Sequence, residues 1–394
     1  MSQLNTLKSS ATLVVTGGHL ITPVAERFAT LSLNGQTIAS LSQFEEAEQP
    51  GAEVLSADGC YVTPGLIDLQ VNGGPECNLW GDPDEAEIIN LRKTMAHCGV
   101  TSFLPTLITD EIEHLKKNIS LLTRLGARVC KATGNCGGQA ELLSEALSDS
   151  AACGLARMLG LHLEGPFLSR EKPGVHPQQW VRQLTKDAVA DLVTDAVALI
   201  TLAPETDPGG ESIKFLTERG VCVSVGHSNA TLAQAKEAFR CGARLMTHTF
   251  NALPPLAHRA PGAVTAALLD PQVFCCVIAD GLHVDPAIVE LIIKIKGVER
   301  TILVTDRAQV GTSNGGLVGS SLLLDQAVRN VVEWEIATFP EAIRMASYNP
   351  AIALGVEPYL GLLQSGHAGD LVIWDKQTLC VKQVVLGGKL VAVG

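Results

Sequence analysis

Eight side chains that could do acid–base or metal chemistry interrupt otherwise apolar stretches of this chain. Gln70 and Asn72 lie in GLIDLQVNG (65–73), Glu164 in MLGLHLEGP (158–166), His227 in VCVSVGHS (221–228) and His248 in RLMTHTFNA (244–252). Asp280 and His283 end FCCVIADGLH (274–283), and Asp306 ends TILVTD (301–306). A lone histidine in such a stretch is usually a satisfied core side chain. A polar interruption in six separate stretches points instead to one shared site, because ionisable groups are rarely buried without a partner or a metal. A carboxylate with two imidazoles forms a catalytic zinc ligand set that leaves a fourth position open. Glu164, His227 and His248 supply that set. Zn²⁺ is the expected ion, with Fe²⁺, Mn²⁺ or Co²⁺ as alternatives. Asp306 is the natural general base, since a divalent ion lowers the pKa of water toward about 7 and a nearby carboxylate can take the proton and return it to a leaving amine. Capping of the following turn is the competing role for Asp306. His162 shares strand parity with Glu164, which gives it a supporting hydrogen-bond role.

These residues converge only if the elements carrying them do. The six stretches, with VTSFLPTLI (100–108) and VALITLAPE (197–205), make eight apolar runs, mostly followed by helical patterns. Near-continuous apolar strands alternating with helices mark a parallel sheet covered on both faces. Eight such units over about 290 residues fit an α/β fold, a (β/α)8 TIM-type barrel, whose sites are built at the carboxyl ends of the strands. An open doubly wound sheet is the alternative. In HSNATLAQAKEAFRCG, Thr231 and Gln234 form a capping box, Leu232, Ala235 and Phe239 share one face, and Gly242 supplies the stop. The first sixty and last forty residues read as short strands, so the two ends are expected to meet in one small β-sandwich domain (1–63 plus 357–394) flanking the barrel (64–356).

Length and composition agree with this organisation. A chain of 394 residues calls for two or three domains, and 46% hydrophobic against 18% charged residues can bury a large core. The formal charge of −12 excludes a general nucleic-acid or anionic-membrane binder, yet leaves room for local cations that grip one phosphate. The 11 cysteines are scattered without a CxxC pair, as reduced thiols in a cytoplasmic protein are. Neither a secretory leader nor a membrane-spanning run is evident.

Five segments in order, PGLIDLQVNGG, GLHLEGPFLS with KPGVHP, VGHSNAT, THTFNALPPLAHRAPG and IADGLHVD, closely resemble the N-acetylglucosamine-6-phosphate deacetylase family of the amidohydrolase superfamily. Many metal-dependent barrel hydrolases carry His-x-His on the first strand and bind two metals. Gln70 and Asn72 stand there as vestigial second-metal positions, so one ion per subunit is expected, with both amides hydrogen-bonding toward water in the site. The resemblance implies hydrolysis of the acetamide of N-acetylglucosamine 6-phosphate to acetate and glucosamine 6-phosphate. It implies Glu164, His227 and His248 as metal ligands, Asp306 as acid/base and His176 as the group polarising the acetyl carbonyl. Substrate contacts would come from Val175, His176, Asn251, Ala252, Asp280, Gly281, Leu282, His283, Leu317, Val318 and Gly319. Arg259 would grip the phosphate from the neighbouring subunit, which implies a homodimer. A phosphate needs such a cationic clamp, and Arg259 with His283 supplies one on an acidic chain. Two departures stand out. Arg307 follows Asp306 where the family has a small residue, and could either pair with Asp306 and lower its basicity or point away without effect. Only about a dozen residues then lead to GLVGSSLLLD, where the family has a longer β-hairpin. The competing expectations are a related amidohydrolase acting on another N-acyl sugar phosphate or a cyclic amide, and a catalytically impaired sugar-phosphate-binding homologue.

Overall fold

A computed structural model describes residues 12–22, 26–42, 51–129, 154–309, 311–313 and 316–391. All eight apolar runs are strands: β1 (Leu66–Val71), β2 (Val100–Ile108), β3 (Leu161–Glu164), β4 (Val197–Leu202), β5 (Cys222–Val225), β6 (Leu245–Met246), β7 (Phe274–Ile278) and β8 (Thr301–Val304). They pair in parallel from β1 through β8 in chain order. Every residue of these strands except Ile108 is buried, as sheets with both faces covered require. The open-sheet alternative is excluded by the seam between β8 and β1. There Val71 bridges Arg307, the Asn72 amide N–H donates to the Arg307 carbonyl at 2.7 Å, and the Asp68 carboxylate accepts from the Thr305 hydroxyl at 2.6 Å. The ring is closed by side-chain as well as main-chain bonds. Burial pushes Asp68 up to about 6 in spite of its bonds to Thr305.

The chain ends meet as the sequence implies. A six-stranded sheet interleaves the strand Cys60–Pro64 with Leu371–Asp375 in antiparallel register, and a four-stranded sheet carries Leu13–Thr16 at its centre. Leu13, Leu31, Leu33, Val62, Ile373 and Val385 form a core separate from that of the barrel. At the junction, buried Arg157 forks onto buried Asp370, one bond measuring 2.7 Å, and Asp370 Oδ1 also accepts from the Gly387 amide at 2.8 Å. Such a pair is costly to break, because one charge would be left in a dry interior.

Helix 232–240 shows the expected reciprocal cap: Gln234 N–H donates to Thr231 Oγ1 at 3.3 Å, and Thr231 N–H to Gln234 Oε1 at 2.9 Å. Its Ala235 and Phe239 are buried against the barrel. The described cysteines are free thiols, seven of them buried. Among the described residues, no helix is long and apolar enough to cross a membrane.

Candidate active site

Glu164 is the last residue of β3, while His227, His248 and Asp306 each lie two residues beyond the ends of β5, β6 and β8. Leaving a parallel strand this abruptly bends the backbone. His227, His248, Phe250, Ala252 and Asp306 have positive φ, and they are five of the seven described non-glycine residues that do. Strain of this kind concentrates where side-chain direction matters more than backbone comfort.

The three expected ligands meet. His227 Nε2 and His248 Nε2 lie 3.1 and 2.9 Å from Glu164 Oε1 and 3.1 Å from each other, all three residues being buried. This near-equilateral triangle is slightly tighter than the ~3.3 Å spacing of ligand atoms about a tetrahedral ion with bonds of about 2.0–2.1 Å. The Lys172 carbonyl, 3.1 Å from His227 Nδ1, can only accept, so Nδ1 carries the proton and Nε2 turns its lone pair to the centre. Burial opposes a charge on His248, yet the Glu164 carboxylate pulls it up to about 9. Burial likewise opposes the Glu164 charge, but His227 and His248 hold that carboxyl well below its usual range. The centre therefore draws a positive charge into a buried position, and its donor set fits one divalent cation.

Around the triangle, each supporting group has one direction. Gln70 Nε2 donates to Glu164 Oε1 at 3.1 Å, and Asn72 Nδ2 donates to Asp306 Oδ1 at 2.7 Å. Gln70 in β1 and Asn72, one residue beyond its end, thus each orient one carboxylate. Burial, then the nearby Glu164 charge, raise Asp306 to about 7. The Thr109 amide N–H donates to His176 Nδ1 at 3.2 Å, which leaves the proton on Nε2, 3.9 Å from Glu164 Oε2. Burial keeps that imidazole neutral, with a pKa well below its ordinary value. His162 is held neutral between Thr201, at 2.8 Å, and Thr106, its pKa lowered by burial to about 4. It supports β4 and β2 and does not touch the triangle.

A cavity of about 370 Å³ opens over these groups, walled by Val175, His176, Asn251, Ala252, Leu282, His283 and Gly319 among the expected residues. Trp80, Ile108 and Gly174 also line it, and sequence reasoning missed all three. Asp280 and Gly281 stay out of the wall. Asp280 instead accepts from His283 Nδ1 at 2.6 Å and from the amides of Leu282 and His283, fixing the imidazole that does reach the cavity. Val318 is half-buried outside the wall, and the side chain of Leu317 lies outside the described residues. The hairpin after β8 is present but short, Gly311–Ser313 against Gly316–Val318. Arg259 is exposed and is not among the residues walling the cavity of its own chain. Arg307 points away from Asp306: its guanidinium forks onto Glu76 at 2.8 and 2.9 Å and donates to the Gly73 carbonyl at 2.7 Å.

The Amidohydrolase family profile matches residues 61–391. An N-acetylglucosamine-6-phosphate deacetylase of Bos taurus is 33% identical over 386 residues, covering 88% of this chain and 87% of its own. An N-acetylgalactosamine-6-phosphate deacetylase of Escherichia coli O157:H7 is also 33% identical, over 363 residues, covering 86% and 89%. The crystal structure of N-acetylglucosamine-6-phosphate deacetylase from Pasteurella multocida superposes with a TM-score of 0.83 at 29% identity, over 96% of this chain and 99% of that one.

Proposed function

Because the chain belongs to the amidohydrolase family, within the N-acetylglucosamine-6-phosphate deacetylases, we propose that it hydrolyses the acetamide of N-acetylglucosamine 6-phosphate, releasing acetate and glucosamine 6-phosphate. The observation that carries the reading is the Glu164–His227–His248 triangle with Asp306 and His176 facing the same cavity. One divalent ion held by those three side chains would supply Lewis-acid polarisation and an acidified water.

The chain's own residues do the rest. His176 carries its proton on Nε2 and is neutral, so it donates a hydrogen bond to the acyl oxygen as negative charge develops there. Asp306 takes a proton from the attacking water and delivers it to the departing amine, one carboxylate serving as base and then as acid. Asn72 fixes the rotamer of Asp306 through its 2.7 Å bond. His283, braced by Asp280 and lining the same cavity, takes the sugar phosphate. Arg259, exposed on the loop after His248, reaches the phosphate in the site of a neighbouring subunit, which makes the working form a homodimer.

Since relatives named for either epimer are equally similar, the test is acetate release from the glucosamine and galactosamine forms side by side. Phosphorylated and unphosphorylated sugars are compared in the same series. The reading expects release from N-acetylglucosamine 6-phosphate and a large loss when the phosphate is missing. Equal rates without the phosphate would remove the clamp, and no acetate from any of these sugars would remove the reaction.

A further inference from the structure

The hairpin after β1 does more than connect it to the next helix. Gly73–Gly74 pairs with Cys77–Asn78, and the chain then turns Trp80 back over the site. The indole Nε1–H donates to Asn72 Oδ1 at 3.2 Å. An indole N–H can only donate. It therefore fixes the Asn72 amide with its oxygen toward Trp80 and its NH₂ toward Asp306, where Nδ2 donates at 2.7 Å. With the opposite amide orientation, an oxygen would face the Asp306 carboxylate and an NH₂ would face the indole N–H. Both contacts would be repulsive.

The hairpin is itself held down. The Glu76 carboxylate takes the Arg307 guanidinium in a two-point fork, and the same guanidinium donates to the Gly73 carbonyl. A Cβ on Gly74 would run into the Arg307 guanidinium, so any larger residue there would displace it from this position. Planar forks of this kind restrict orientation as well as distance.

We propose that Trp80 is a positioning residue for Asp306, acting through the orientation of the Asn72 amide, and that the Arg307–Glu76 fork holds the hairpin that carries it. The catalytic role of Asp306 rests on the reading given above; the indole lock does not.

Two measurements separate these claims. In metal-depleted protein, the chain's four tryptophans give a simple set of indole ¹H–¹⁵N signals. Trp80→Phe identifies the Trp80 signal by removing it. Asn72→Ala should shift that signal to the position of an unbonded indole, and Glu76→Gln should broaden or shift it with the fold intact. A Trp80 signal indifferent to Asn72→Ala overturns the lock, whatever the enzyme's substrate. In acetate release, Trp80→Phe should lower kcat about threefold to tenfold, the scale of one hydrogen bond, with KM within about twofold. It should have no further effect in an Asn72→Ala background, since the two act as one unit. Independent, multiplying losses would show that Trp80 serves only as wall and would overturn the positioning role. Wild-type protein that releases no acetate defeats the proposed reaction alone, because the spectroscopic arm still decides the lock.

Discussion

Replacing Asp306 by Asn separates catalysis from folding. The substitution keeps the shape and can still present an oxygen to Asn72 Nδ2, so the 2.7 Å contact survives. What disappears is the proton acceptor, and turnover should fall by at least about 10²-fold with metal content unchanged. The metal-free protein gives a second, opposite readout. Its Asp306 is raised from 3.8 to about 7, chiefly by burial and then by Glu164. A folded-state pKa above the unfolded value means that the protonated form favours folding; that contribution is fully present below about pH 4 and is lost as pH rises through about 7. Three units at ~1.4 kcal/mol each set a ceiling of roughly 4 kcal/mol. About 1–3 kcal/mol remains for the interval between pH 5 and 8.5 in a carboxyl partly open to the cavity. Urea denaturation of chelated wild type and Asp306→Asn at both pH values measures it. The variant should equal or exceed the wild type at pH 8.5, and its advantage should shrink at pH 5. Activity within tenfold of wild type, or an unchanged stability difference across that interval, would refute the assignment of Asp306 as a buried base.

The other perturbations have distinct signatures. His248→Ala removes one corner of the triangle, so elemental analysis should show loss of the bound ion and acetate release should fall below detection, while strong chelation of the wild type should produce the same loss reversibly. His176→Ala should leave metal content intact and cut kcat by about 10²–10³-fold, as removal of an oxyanion donor does, and kcat measured with metal content on the same sample checks it. Asp370→Ala leaves Arg157 buried and unpaired between the barrel and the β domain, which should cost about 3–5 kcal/mol in denaturant unfolding while folded protein retains its kcat.

The barrel was legible because its strands are buried on both faces and so read as apolar runs, which makes each polar interruption conspicuous. Glu164, His227, His248 and Asp306 were found that way, and the structure brings them to one rim. The meeting of the chain ends followed from their shared short-strand pattern, but not the Arg157–Asp370 pair, whose partners lie 213 residues apart with no periodic signal joining them. Trp80 was missed because it reaches the site through two-residue strands whose register only the folded hairpin defines. The direction of Arg307 was equally hidden. It depends on Glu76, which the sequence displays as one more acidic loop residue, and on Gly74 clearing a path. Residue types announced the ligands, whereas the groups that orient them depend on turns and long-range approach.

The central claim is that Glu164, His227 and His248 hold one divalent ion on which deacetylation depends. Zn²⁺ titrated into chelated protein, with acetate release from N-acetylglucosamine 6-phosphate followed at each addition, tests it most directly. Activity should start near zero and climb linearly to a plateau at one equivalent per subunit. Full activity in the metal-free protein, or a plateau only at two equivalents, would contradict it.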